Sequence, residues 1–312
     1  MDFNADTYNF LMNVMGAYFQ AMGAVRSKLD EQPPAPPPLL AVRGGYAESP
    51  AWYMIQAAEF DPKPINVKNL RVRDIYASKQ LAAALLEMLA SEKWLDRQGT
   101  DYYLTDAGRQ IITGMQQRPH TYLAGLTPLT DEDIGRLEGF LRHVIDSSLT
   151  CPNPPGSWCL AHSRNRAPDD SSAPLIKIMH YLADFNAFRD DAHMAAFIPV
   201  EPTGYIWESF TLIADGRANS VADLFETLAY RGYAKEDFAR AVQNLQEKGW
   251  IEQDQPTDSY RVTDTGSKIR AEVEELTDRY FYEPWKLALK SGEIDECYGL
   301  LKRLQEGLQN IT

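Results

Sequence analysis

Cysteine is scarce in this chain. Cys151, Cys159 and Cys297 are its three cysteines in 312 residues, too few and too unevenly spaced for a disulfide framework, which agrees with a reducing compartment. No run of about 18 apolar residues occurs, so the usual pattern of a membrane-spanning helix is missing, and the opening MDFNADTYNF carries no basic region ahead of an apolar stretch. The expected location is cytoplasmic. Catalytic signatures are also missing: there is no glycine-rich phosphate loop, no G-x-S-x-G and no H-E-x-x-H, and neither Cys151 nor Cys159 sits in a nucleophile context, so an enzyme is not expected. Basic residues are the minority, 31 Lys and Arg against 44 Asp and Glu, and the net charge of −13 argues against phosphate binding over the whole surface. The imbalance is uneven, with 12 basic and 13 acidic side chains in residues 1–120 but 13 and 21 in residues 201–312.

What is present is ordinary globular composition, 44% hydrophobic and 24% charged, and enough length for two or three domains. A self-similar stretch occurs twice, as ASKQLAAALLEMLASEKWLDRQGTDYYLTDAGR at 77–109 and AKEDFARAVQNLQEKGWIEQDQPTDSYRVTDTGS at 234–267. Each predicts an amphipathic helix, a Trp, two polar strands around a turn, and a Thr-Asp-x-Gly that opens another helix. Aligning Trp94 with Trp250 pairs Leu86 with Val242 and Leu89 with Leu245. Two extra turn residues in the second copy then bring Thr105 onto Thr263 and Gly108 onto Gly266.

Leu89 to Trp94, followed by Tyr102, Leu104, Thr105 and Gly108, resembles the winged helix-turn-helix of MarR-like and PadR-like bacterial regulators, with Lys93 where Gly is common. The second copy keeps Leu245, Gly249, Trp250, Tyr260, Val262, Thr263 and Gly266. The resemblance implies a mainly α fold with small β-wings, two winged-helix domains joined by a helical insert. It also implies dimerisation through helices outside the winged helix, which suits the amphipathic stripe of Phe10, Leu11, Val14, Met15, Tyr18, Met22 and Val25. The expected partition is an N-terminal helix and Pro-rich arm at 1–45, a first winged helix at 46–120, a His-rich helical insert at 121–202, a second winged helix at 203–285 and a C-terminal helix at 286–312. Pro284 is expected to stop the helix that runs into it, and 150–174, rich in proline, to be a loop.

In a helix-turn-helix the first residues of the third helix reach base edges in the major groove. That nominates Ser78, Lys79 and Gln80, with Ala82 and Ala83 small enough for close approach; Gln can pair with adenine and Lys with guanine. Lys68, Arg71, Arg73 and Arg97 are expected as phosphate clamps, and Gln98 at the wing tip. In the second copy Lys235, Glu236 and Asp237 occupy the equivalent start, and two carboxylates there would repel phosphate.

All five histidines and two of the cysteines fall within 120–193. Cys151, Cys159 and His162 give a C-x7-C-x2-H spacing, wider than zinc sites use, while His180 and Asp184 lie one helical turn apart beside the dense Arg189, Asp190, Asp191 and His193. These are the candidate ligands for zinc or a small effector; the alternative is a salt-bridge network. The expected function is DNA-binding transcriptional control on double-stranded DNA by a homodimer, with no membrane association. An effector would shift the spacing of the two third helices against half-sites one helical turn apart. Two other classes fit the same residues, a winged-helix protein-interaction scaffold and a metal-dependent hydrolase using the His/Asp-rich insert.

Overall fold

Residues 50–104 form three helices and a hairpin, in a computed structural model that describes residues 4–29, 35–41, 49–156, 158–254 and 259–311. The helices are α1 (Ala5–Arg26), outside this module, and within it α2 (Pro50–Phe60), α3 (Val67–Arg73) and α4 (Lys79–Ser91); the hairpin pairs β1 (Leu95–Gln98) antiparallel with β2 (Asp101–Leu104). Their starts are written locally. Ser49 Oγ accepts from the Trp52 amide with Pro50 in the first turn, Asn66 and Asn69 cap one another reciprocally, and Ser78 Oγ accepts from the Leu81 amide at 3.0 Å. One face of α4, with Ala82, Leu85, Leu86 and Leu89, is buried.

The same order recurs later. After α5 (Asp106–Leu123), α6 (Asp131–Thr150), α7 (Trp158–Arg164) and α8 (Pro174–Phe197) come α9 (Gly204–Ala214), α10 (Val221–Leu228), α11 (Lys235–Glu247) and the antiparallel pair β3 (Ile251–Asp254) and β4 (Ser259–Val262). The tip of this second hairpin lies outside the described residues.

The repeat has a physical basis. At the end of α4 the chain reverses through Lys93 at φ 62°, and at the end of α11 through Gly249 at φ 70°. The next amide, of Trp94 or Trp250, donates back to Leu89 or Leu245. On leaving the hairpin, Thr105 and Thr263 each donate their amide to that Trp carbonyl at 3.0 Å, and each hydroxyl accepts from the amide of Gly108 or Gly266. A Cβ on either glycine would run into the Trp carbonyl oxygen. Trp followed by Thr-x-x-Gly is thus a clasp that fixes the hairpin to the next helix, and it is built twice.

The five stretches read from the sequence are gathered into two units. Residues 40–108 and 193–277 make one, which holds both modules; residues 1–39, 109–192 and 278–312 make the other. The core of the latter collects Leu11, Val14 and Tyr18 of α1, Leu137 and Leu141 of α6, Phe185 and Phe188 of α8, and Phe281, Tyr282 and Trp285 of α12 (Asp264–Ala288). Leu300, Leu301 and Leu304 of α13 (Ser291–Gln309) complete it.

Three expectations change here. Leu11, Val14 and Tyr18 of the α1 stripe, expected at a dimer surface, are buried in their own chain, where α1 packs on α13, and Tyr282 Oη donates to the Asn4 carbonyl at 2.7 Å. Pro284 does not end α12. A proline removes one donor, at a cost of about 3 kcal/mol, and the burial of Phe281, Tyr282 and Trp285 around it offsets that. The proline-rich 150–174 contains a helix, α7, whose first amides are capped by a side chain from α8, a long-range contact that no local pattern announces. In the arm, Pro33 and Pro34 lie outside the described residues, while Pro38–Leu40 form a 3-10 turn that buries Leu40.

Candidate nucleic-acid interface

The start of α4 is where base-reading side chains would stand. Lys79 and Gln80 are exposed there, as is Lys68 on α3, and neither lysine has an ion pair among the described residues. The wing supplies Gln98, exposed, its amide on Asp96 at 2.9 Å. Arg97 is exposed but paired to Glu87, which also accepts from Tyr102 Oη at 2.6 Å, so this cation ties the wing to α4.

Three other expected contacts are turned inward. Arg73 meets Glu59 at 3.1 Å with both side chains almost fully buried, and its guanidinium lies over the Trp52 ring. Ser78 is buried as the cap of α4. Arg71 donates to the carbonyls of Ala77 and Ile75, holding the turn between α3 and α4. In sequence these cations are indistinguishable from phosphate clamps; their partners come from the preceding helix and the following turn.

That turn packs on the corresponding turn of the second module. The Ser78 amide donates to the Arg231 carbonyl at 2.8 Å, and Tyr233 Oη donates to the Ala77 carbonyl at 3.4 Å. Arg231 makes a two-pronged bond to Glu208, at 2.7 and 3.0 Å, and approaches Asp74 at 3.6 Å. Burial pushes the Glu208 carboxyl up, and Arg231 opposes it. Glycine is required on both sides of the seam: a Cβ on Gly204 would stand 2.5 Å from the Ile75 carbonyl oxygen, and one on Gly232 2.7 Å from Leu81 Cβ.

The seam keeps the two third helices of one chain close together. With Ser78 bonded to Arg231, chain reach keeps the starts of α4 and α11 under about 25 Å apart. Half-sites one helical turn apart are about 34 Å from centre to centre. One chain therefore cannot place both helices in successive half-sites. At the start of α11 Lys235 and Glu236 are exposed, and Asp237 accepts from the Ala234 amide at 2.8 Å.

Several candidate ligand residues of the insert have partners within its own fold. Asp191 accepts from the amides of Cys159 and Leu160, at 2.8 and 2.9 Å, and so caps α7. Arg189 pairs with Asp278 at 2.5 Å and lies over the rings of Tyr8 and Phe281, while burial and then the Asp190 charge push the Tyr8 phenol up. His162 packs on Trp158, and Cys151 is the C-cap of α6. His180 and Asp184 do meet, at 3.3 Å, but Asp184 also accepts from Ser163 Oγ at 2.7 Å and pairs with Arg164 at 2.8 Å. Burial raises the Asp184 carboxyl to about 6 against the pull of Arg164. His193 belongs to the other unit: its Nε2 accepts from Trp207 Nε1, which can only donate, so its proton sits on Nδ1 facing Thr277 Oγ1. Among the described residues no group of three His, Cys, Asp or Glu side chains is placed to hold a metal ion. Nor is any described helix long and apolar enough to cross a membrane.

No curated protein and no solved structure matches this chain. The sequence model of a helix-turn-helix family matches residues 160–310, a span that includes the second module and omits the first. Over those residues the chain is similar to a helix-turn-helix family.

Proposed function

We propose that this chain is a DNA-binding transcriptional regulator. The helix-turn-helix match over 160–310 carries the proposal, and the recurrence of the same three helices, hairpin and clasp at 50–108 extends it to the first module. Both modules then act as winged helices of the MarR-like and PadR-like kind. The first contacts the duplex, because Lys68, Lys79 and Gln80 are exposed there and Gln98 projects from its wing. The second, with Glu236 and Asp237 at the start of its third helix, braces the first through the seam. A symmetric operator requires two chains, each inserting one α4.

The test is retention of sheared genomic fragments by purified protein at two salt concentrations, followed by sequencing. Enrichment of one sequence, weaker at the higher salt and reduced by Lys68→Ala with Lys79→Ala, is the expected result. Absence of retention at low salt overturns the proposal. A second reading, a protein-interaction scaffold, is favoured by one observation: the turns of both modules are already occupied in packing on one another within the chain. In that case the two lysine substitutions leave partner binding unchanged.

A further inference from the structure

The open face of α4 carries a carboxylate. Ala82, Leu85, Leu86 and Leu89 are buried, while Gln80, Ala84 and Glu87, at steps of four and three residues, are exposed on the other side. Glu87 stands two turns beyond Gln80, about 10 Å along the helix axis. Its side chain leaves 46% of its surface to solvent. A lone acid on this face would meet phosphate with like charge.

Glu87 is not alone, because two side chains of the wing hold it. Arg97 of β1 pairs with its Oε1, and Tyr102 of β2 donates to the same oxygen at 2.6 Å. Arg97 is fixed in turn: its Nε donates to the Gly99 carbonyl at 3.0 Å, and its guanidinium lies 5.9 Å from the centre of the Tyr102 ring. The pair of Arg97 and Glu87 carries no net charge, which relieves the repulsion from phosphate. Both bonds fall on one oxygen, and among the described residues Oε2 accepts none. A carboxylate held at one oxygen and open at the other can only accept there.

The second module lacks this arrangement. Aligning Trp94 with Trp250 puts Gln243 at the position of Glu87 and Gln253 at that of Arg97, and Gln243 donates along its own helix to Glu247 at 2.9 Å. The winged helix is therefore built without the acid, which occurs in the module where Lys68, Lys79 and Gln80 are exposed.

The donors on base edges in the major groove are the amino groups at cytosine N4 and adenine N6, and beside adenine N6 lies the N7 acceptor, which a carboxylate repels. We infer that Glu87 reads cytosine, its Oε2 accepting from the N4 amino group while Arg97 and Tyr102 hold its Oε1. The inference rests on the DNA-binding reading of α4 given above and adds to it a residue and a base. Arg97 and Tyr102 are positioning residues, since they act on the base through Glu87.

The experiment is selection by the full chain from a pool of duplexes randomised over about two helical turns, with sequencing of the bound fraction. Affinities are then measured on the selected duplex and on versions altered at one base pair. At one C·G pair the parent should prefer cytosine over each other base by at least about fivefold. Glu87→Gln should lose that preference in favour of adenine, the base a carboxamide pairs with, and leave the rest of the motif in place. Tyr102→Phe should weaken the preference at the same pair and at no other, a readout that a merely structural role would not move. Glu87 and Arg97 are both about half exposed, so Glu87→Gln should melt within about 2 °C of the parent. A motif that Glu87→Gln leaves unchanged overturns the inference and spares the DNA-binding reading. A parent that selects no duplex at low salt overturns that reading and the inference with it.

Discussion

Gly108 and Gly266 hold equivalent positions against the carbonyls of Trp94 and Trp250, with no room for a methyl group. Gly108→Ala and Gly266→Ala are each expected to destabilise the protein by about 2–3 kcal/mol, read from the urea midpoint. Gly114→Ala, in open space within α5, should instead stabilise by up to about 1 kcal/mol. Equal effects at the three sites would show that the clasp is not close-packed. Lys93 holds a left-handed conformation that its counterpart Gly249 adopts without strain, so Lys93→Gly should raise stability by about 1 kcal/mol. Asp184 gives the chain a pH dependence of definite sign. Its carboxyl is raised to about 6 in the folded state, so the protonated form is favoured there, and the contribution is present below about pH 4 and lost as pH climbs through 6. The shift corresponds to roughly 3 kcal/mol. Arg164, Arg166 and Ser163 act on the group and His180 lies beside it, so the check is comparative. Between pH 4 and 7, Asp184→Asn should gain stability relative to the parent, and a constant offset would show that Asp184 does not titrate in that range.

At the level of elements, the third helices, the hairpins and the clasp were legible in the sequence because their determinants are local. Ser78 caps from one residue before α4, and the Thr105 hydroxyl takes the Gly108 amide three residues on. The role of Arg73 was not legible, since Glu59 lies fourteen positions away on another helix and nothing in a cluster of basic residues says which member turns inward. The distinction changes the obvious mutational control. Arg73→Ala strands Glu59 in the interior and is expected to cost about 3–5 kcal/mol, so lost DNA retention in that variant would report unfolding. Lys68→Ala and Lys79→Ala act on exposed side chains and should stay within about 0.5 kcal/mol of the parent by thermal melting. The start of α7 was hidden for the same reason as Arg73: its cap, Asp191, comes from a helix far along the chain. Among the candidate ligands His180 and Asp184, spaced by one turn of a single helix, were brought together as their spacing suggested.

At the scale of the whole molecule, sequence periodicity showed that α1 has an apolar face but could not show what covers it. Much of the cover is α13, at the far end of the described chain, and it shares one core with α1, α6, α8 and α12. Both units are also discontinuous, each assembled from stretches separated by residues of the other. These facts bear on how the protein is made. A ribosome releases Leu11, Val14 and Tyr18 well before α13, so until that helix follows the nascent polypeptide carries an apolar helix that lacks part of its cover. A message truncated before Ser291 should therefore yield a product that binds hydrophobic dye and elutes as aggregate on gel filtration; a monomeric, dye-free product would show that α1 finds another cover. For such a chain, the demand on chaperones is set less by its length than by the order in which two partner helices leave the exit tunnel.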